Sequence, residues 1–348
     1  MAAVTLAQEL NLRNEKIEKG VIKTFVEESP FGRRIPFVTT GSLQVPVVYQ
    51  SGIPAASLRF INEAVSTQTA DFSQMTETLH IFDADIDIDP VLVANKNQIQ
   101  RVDVAQTQSK LKAMAYDLVD YAVNGNPLTN IREPRGLKVR LQDDPKFSGQ
   151  TINFHASGTT EYELRVGTAT DGNYRFLLHK LNELFYRVDN KPDVLLTNAQ
   201  MILTLWAALQ QLKLFSQDKD QYERTVMNYR GAQIIDAGWK AAGAIEGDFA
   251  AAAAGGDQVI GNDSEATTVV NGGLAYSGQT PIYAVRFGPE HYQGLQQEPM
   301  KVTKFGQIDD SPHPFRTNVR WVVQPSALFQ KRAAGRLIGG AVSTAPAA

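Results

Sequence analysis

Apolar residues change their spacing several times along this chain, and each change marks an element. From Leu43 to Tyr49 the run is valine-rich and reads as a strand. A second strand reads from Met75 to Asp89, and its end alternates strictly. Phe82, Ala84, Ile86 and Ile88 share one face, and Asp83, Asp85, Asp87 and Asp89 share the other. Pro90 closes the run because it has no N–H to give to a ladder. Between the two strands, residues 50–74 are polar, contain Gly52 and Pro54 and show no period. Together they predict an extended hairpin with a loose tip. Val104, Leu111 and Leu118 then recur every seven residues, with Met114, Ala115, Val119 and Ala122 widening the stripe. This predicts a helix from Asn95 or Asn97 to Asn124, stopped at Gly125. At ~1.5 Å per residue such a helix reaches roughly 40 Å, which makes it a beam.

Residues 1–40 carry a weak helical pattern from Leu6 to Val26, broken at Ser29-Pro30-Phe31-Gly32, and read as an arm outside the core. After the beam, Asn126-Pro127 through Arg135-Gly136-Leu137 is turn-rich, and strand-like pieces follow at Lys138 to Leu141 and Thr151 to His155. Leu177, Leu181, Leu184 and Phe185 predict a helix from Tyr174 to Val188. A strand at Asp193 to Leu196 leads into another helix, for which Thr197 and Gln200 form an expected capping box ahead of Ile202, Leu205, Trp206 and Leu209. Strands are expected at Ala232 to Asp236, Ile282 to Phe287, Met300 to Phe305 and Thr317 to Val323. The alanine- and glycine-rich stretch 241–273 reads as a surface insertion, and the tail from Gly339 as a frayed end.

Composition narrows the chemistry. With 348 residues and 43% apolar residues the chain has material for one or two packed cores. It has no cysteine, which removes disulfides, thiolate metal sites and cysteine nucleophiles and suits a reducing cytoplasm. No apolar run approaches the ~20 residues needed to span a bilayer, so no membrane partner is expected. The net charge of −3 argues against tight, phosphate-driven DNA binding. The basic residues Arg13, Lys16, Lys19, Lys23, Arg33 and Arg34 read as solvated charges. Phosphate-loop, dinucleotide and nucleophile-elbow motifs are missing, and the five histidines never pair at metal-ligand spacing. The aspartates of the second strand do not make a calcium loop, because Ile88 stands where an EF-hand loop starting at Asp83 needs glycine. No catalytic residue, cofactor or metal site is therefore expected.

The order of parts (arm, long hairpin, beam, mixed domain, returning strands) resembles the major capsid proteins of tailed bacteriophages, the Hong Kong 97-type fold. Several stretches carry the resemblance: Leu111-Lys112-Ala113-Met114-Ala115-Tyr116-Asp117 with its Asn124-Gly125 close, then Arg135-Gly136-Leu137, and Tyr229-Arg230-Gly231-Ala232-Gln233-Ile234-Ile235. Val319-Arg320-Trp321 and Lys331 to Leu337 are similar to the family's closing strand and tail. The resemblance implies an α+β fold with an N-terminal arm (1–41), an extended loop (42–90), a peripheral domain with a spine helix (91–165 and 300–338), an axial domain (166–299) and a flexible tail (339–348). It implies a subunit that self-assembles into hexamers and pentamers of an icosahedral virion shell, formed in the host bacterial cytoplasm. The implied partners are a scaffolding protein, a portal, a cement or decoration protein, and packaged double-stranded DNA held without tight, sequence-specific binding. An encapsulin-type nanocompartment shell and a soluble α/β enzyme are the alternatives. Contacts between subunits are expected where the acidic face of Asp83, Asp85, Asp87 and Asp89 meets Arg33, Arg34 or Arg59 of a neighbour. In the family's type member a loop lysine joins a neighbour's asparagine covalently. The loop here, Leu43 to His80, contains Arg59 and Asn62 but no lysine, so a non-covalent shell is expected.

Overall fold

The computed structural model describes residues 4–5, 23, 27–65, 67–88, 102–147, 149–153, 171–211, 216–219, 225–241, 258–261, 279–307 and 315–341. Expectations that fall elsewhere lie outside the described residues: most of the 1–22 arm, the helix start before residue 102, Asp89, His155, most of 241–273 and the tail beyond 341.

In chain order the elements are β1 (Val4–Thr5), β2 (Pro36–Thr39), β3 (Gln44–Gly52), β4 (Asp71–Thr78), β5 (His80–Ile88), α1 (Val102–Asn124), α2 (Leu137–Asp143) and β6 (Thr151–Asn153). There follow α3 (Asp171–Arg187), β7 (Val194–Thr197), α4 (Ala199–Gln211), β8 (Ser216–Lys219), β9 (Thr225–Tyr229) and β10 (Ala232–Asp236). The chain closes with β11 (Gln279–Val285), β12 (Tyr292–Gln296), β13 (Lys301–Gln307), β14 (Phe315–Leu328) and β15 (Ala334–Ala341).

Three sheets result. β3 and β4 form a separate antiparallel hairpin, paired from Gln44–Thr78 out to Gly52–Asp71. The expected second strand is thus two: β4 stays in the hairpin, and β5 crosses into the body to pair with β14. A six-stranded sheet runs β1-β2-β12-β14-β13, with β5 also on β14. β14 organises it, pairing its first half with β13 and β5 and its second half with β12. The third sheet, of seven strands, runs β6-β15-β11-β7-β10-β9-β8. β6 and β15 therefore share a sheet with strands of the expected axial domain, and β12 shares one with strands of the expected peripheral domain.

The spine helix forms as its seven-residue spacing predicts. Leu111, Met114, Ala115, Leu118, Val119, Ala122 and Val123 are all buried, and the helix packs on β14 and β5. Phe82 meets Tyr121 edge-on at 5.9 Å. Gly125 ends it for a reason of space: a Cβ there would lie 2.4 Å from the Pro134 carbonyl oxygen. A second core lies under α3, where Leu177, Leu181, Leu184 and Phe185 are buried as expected, together with Leu205 and Leu209 of α4.

Five expectations are corrected. Residues 138–141 are helical, in α2, because Leu137, Arg140 and Leu141 fall on one helical face and all are buried. The cap of α4 is Asn198, whose Oδ1 accepts from the Met201 N–H at 2.9 Å, while Thr197 ends β7 and donates to the Pro281 carbonyl. The end of the arm is core rather than appendage: Phe31, Ile35 and Phe37 are buried, Phe37 lies 4.9 Å from Trp321, and β2 pairs in parallel with β12. Within the stretch read as a surface insertion, Val259 and Ile260 are buried in the main core, and the Val259 carbonyl accepts from Asn124 Nδ2 at 2.6 Å. An apolar pair inside a small-residue segment is an anchor. Gly339 to Ala341, read as a frayed tail, complete β15.

Candidate assembly surface

The hairpin is polar over most of its length and cannot hold itself against the body by hydrophobic packing alone, so its root is tied by charge. Glu77 of β4 and Arg140 of α2 form a bidentate pair, with Nη1–Oε1 and Nη2–Oε2 both 2.6 Å. Both side chains are out of solvent, at 0% exposure for Arg140 and 3% for Glu77. Gln324 of β14 donates to the same Glu77 oxygen at 3.2 Å, and Arg140 Nε donates to the Arg135 carbonyl at 3.2 Å. A buried pair in this geometry needs such extra bonds to offset its desolvation. Beside it, Tyr49 of β3 is buried, donates to the Leu328 carbonyl and meets Phe147 edge-on at 5.9 Å. Burial pushes the Tyr49 hydroxyl well above its ordinary value, so it remains a donor. Lys146 covers the Tyr49 ring at 5.1 Å and donates to the Gln74 carbonyl.

Beyond the root, the tip runs free of its own chain's core. Leu58, Phe60 and Ile61 are between 86% and 103% exposed, and Ile53 is 85% exposed. The tip nonetheless has local order: the Ala55 N–H donates to Gln68 Oε1 and the Phe60 N–H to Glu63 Oε2, both at 2.9 Å, and Asn62 takes a left-handed φ of 69°. Clustered, fully exposed large apolar side chains mark a surface made to be covered by another molecule. In the sequence these side chains sit in a polar, aperiodic stretch, and the one local signal for them is Leu58-Arg59-Phe60-Ile61, three large apolar residues in four.

The acidic stripe is placed differently from the expectation. β5 and β14 are in register so that Asp87 opposes Arg316, Asp85 opposes Asn318 and Asp83 opposes Arg320. Arg316 holds Asp87 through two 2.7 Å bonds, Arg320 holds Asp83 at 3.0 Å, and Asn318 Nδ2 donates to Asp83 and to Asp85. Directly opposed charges of opposite sign stabilise an antiparallel pair. The stripe's first partners are therefore in its own chain, and any contact with Arg33, Arg34 or Arg59 of a neighbour would be additional to these. The signal was present: Arg316-Thr317-Asn318-Val319-Arg320 alternates as the aspartates do. Arg33 and Arg34 are half-buried in a single 3-10 turn, Gly32–Arg34, and are engaged within the chain. Arg59 lies exposed at the hairpin tip, with Nη1 donating to the Glu63 carbonyl at 3.3 Å.

Among the described residues, no group of three or more histidine, aspartate or glutamate side chains is arranged to hold a metal ion, and no helix is long and apolar enough to cross a membrane. The arrangement is one of surfaces: a clamped, projecting hairpin with an uncovered apolar end.

Comparison with known proteins gives these surfaces a context. Residues 28–163, which hold the hairpin, β5, the spine helix and α2, match the family model of the major capsid protein GP7. The fold matches the holo-SrpI encapsulin complex of Synechococcus elongatus PCC 7942 with a TM-score of 0.57 at 13% identity, covering 89% of this chain and 87% of that one. It also matches the capsid of a native GTA particle with a TM-score of 0.53 at 13% identity, over 88% of both chains. No curated protein matches the sequence. The fold is thereby defined: α+β, of the Hong Kong 97 type. Within that fold, the family match makes residues 28–163 similar to a phage major capsid protein.

Proposed function

We propose that this chain self-assembles, through its β3–β4 hairpin, into hexamers and pentamers of a closed icosahedral shell around double-stranded DNA. The observation that carries the reading is the hairpin itself. Its root is fixed by a fully buried ion pair, while its tip exposes Ile53, Leu58, Phe60 and Ile61 with none of the described residues packed over them. Leaving that much apolar surface in water is unfavourable, and a second copy of the chain removes it. Arg59, at the centre of the exposed run, is the basic contact residue on the neighbour in this reading. The role is structural, and the chain is no enzyme. The virion is its location, with assembly in the host cytoplasm. A scaffolding protein, a portal and a cement or decoration protein are its further partners.

The test is negative-stain microscopy of the purified full chain and of a variant lacking residues 51–73. Shells from the first and a soluble, folded but unassembled second are expected. Normal shells from the deletion variant would show that the hairpin is not the interlocking element. The encapsulin match favours a second reading, a nanocompartment shell enclosing protein. Particle contents decide: extracted DNA supports the capsid, and a single packaged protein supports the compartment.

A further inference from the structure

A second surface uses none of the hairpin's residues. A shallow cleft of about 300 Å³ is lined by Gly149, Gln150, Tyr186, Arg187, Lys331 and Arg332. It sits where the end of α3 meets the turn between β14 and β15. Tyr186 and Arg332 are exposed, at 65% and 64%, and the side chain of Arg187 is 40% exposed. Arg230 extends the surface, stacked over the Tyr186 ring at 6.0 Å with its Nη1 donating to Asn182 at 2.9 Å.

Charge bookkeeping across this strip leaves an excess. Arg187 is answered by Glu183 at 3.2 Å, and Arg332 by Asp189 at 2.7 Å, a carboxylate that Arg286 also approaches at 3.6 Å. Among the described residues, Lys331 and Arg230 meet no carboxylate. The pairs on Arg187 and Arg332 also have a geometric effect: they hold two guanidinium groups in fixed positions at the edge of the cleft. The result is a locally positive, aromatic-interleaved face on a chain whose net charge is −3.

We propose that this strip contacts the phosphate backbone of nucleic acid and is therefore the face that the subunit turns toward the shell's interior. This rests on the capsid reading above. Two features favour a phosphodiester backbone over an acidic peptide. The cleft is shallow and its lining is polar, so a docking peptide has no apolar pocket in which to anchor a side chain. Lysine and arginine beside an exposed aromatic ring suit phosphates together with a sugar or base edge. The excess of two cations per chain gives only weak, salt-sensitive binding to a single subunit. Repetition over a closed shell adds avidity without tight binding at any one site. That is the requirement for a container whose contents must leave.

The experiment measures binding of the unassembled full chain to a short double-stranded DNA of mixed sequence over a range of salt. The wild type is expected to bind weakly, with log affinity falling linearly in log salt. The Arg230→Ala/Lys331→Ala variant, which leaves both in-strip ion pairs intact, should weaken binding equally on unrelated sequences. Its salt slope should be smaller by about 2. Arg132→Ala, an exposed cation in the turn after the spine helix, should leave the slope unchanged. An unchanged slope in the double variant overturns the proposal, and so does a chain that binds polyglutamate but not DNA. Microscopy of the same wild-type protein separates the two readings. Shells without any salt-dependent DNA binding sink the strip and leave the capsid standing. DNA binding with no shells under any condition removes the interior-face assignment.

Discussion

Replacing Arg140 by methionine isolates what the hairpin root contributes. The change keeps most of the side-chain volume and removes the two 2.6 Å bonds to Glu77 and the 3.2 Å bond to the Arg135 carbonyl. Among the described residues, Glu77, at 3% exposure, then keeps only Gln324 as a hydrogen-bond partner at 3.2 Å. Two unit charges about 4 Å apart interact by roughly 4 kcal/mol at an effective dielectric of about 20. Stripping one partner from a buried pair costs about 3–5 kcal/mol, because the remaining charge stays desolvated. Arg140→Met should therefore lower unfolding stability by several kcal/mol in a urea titration of the unassembled chain. The Glu77→Leu/Arg140→Met double variant should recover much of that loss, since it buries no orphaned charge. A single variant costing under about 1 kcal/mol, or a double variant whose cost equals the sum of its singles, would refute the reasoning.

Four smaller outcomes follow from particular contacts. Gly294→Ala places a Cβ 2.4 Å from two Phe37 ring atoms and should cost about 1–3 kcal/mol by overpacking; an unchanged unfolding midpoint would show that β2 yields freely. Asn198→Ala removes the α4 cap and should cost about 0.5–2 kcal/mol in the same titration, which a silent substitution would contradict. Burial raises the Asp236 carboxyl above its ordinary value, so its ionised form is disfavoured in the folded state. Stability is then gained as pH falls through the raised folded value toward the unfolded one, and lost as pH rises. Asp236→Asn, which retains an acceptor for the Gly238 N–H, should be more stable than the wild type at neutral pH, with the advantage shrinking in acid; a pH-independent difference argues against this. Particles boiled in detergent should run as one band near 38.3 kDa, because the hairpin loop has no lysine to form a covalent link; a ladder of multimers would place the nucleophile elsewhere.

What the sequence determined by itself are the elements whose pattern is long and regular. The spine helix is written in the spacing of Leu111 and Leu118, and α3 in that of Leu177, Leu181 and Leu184, because burying one face over several turns needs that period whatever lies opposite. The alternation of β5 likewise settled which of its residues face the core, since a strand has only two faces. Short elements were not legible. Leu137 to Asp143 fits a strand or a helix about equally well over seven residues, and what decides for the helix is that Arg140 must reach Glu77, more than sixty positions away. The arm's end and Val259-Ile260 are apolar in isolation and become core only because β12 and Asn124 meet them. The acidic stripe shows the limit most plainly. Its chemistry could be read from four aspartates, but which cations answer it depends on strand register, and only the pairing of β5 with β14 sets Arg316 and Arg320 opposite them. Long-range register is fixed by the packing of the whole sheet, so no local pattern can carry it.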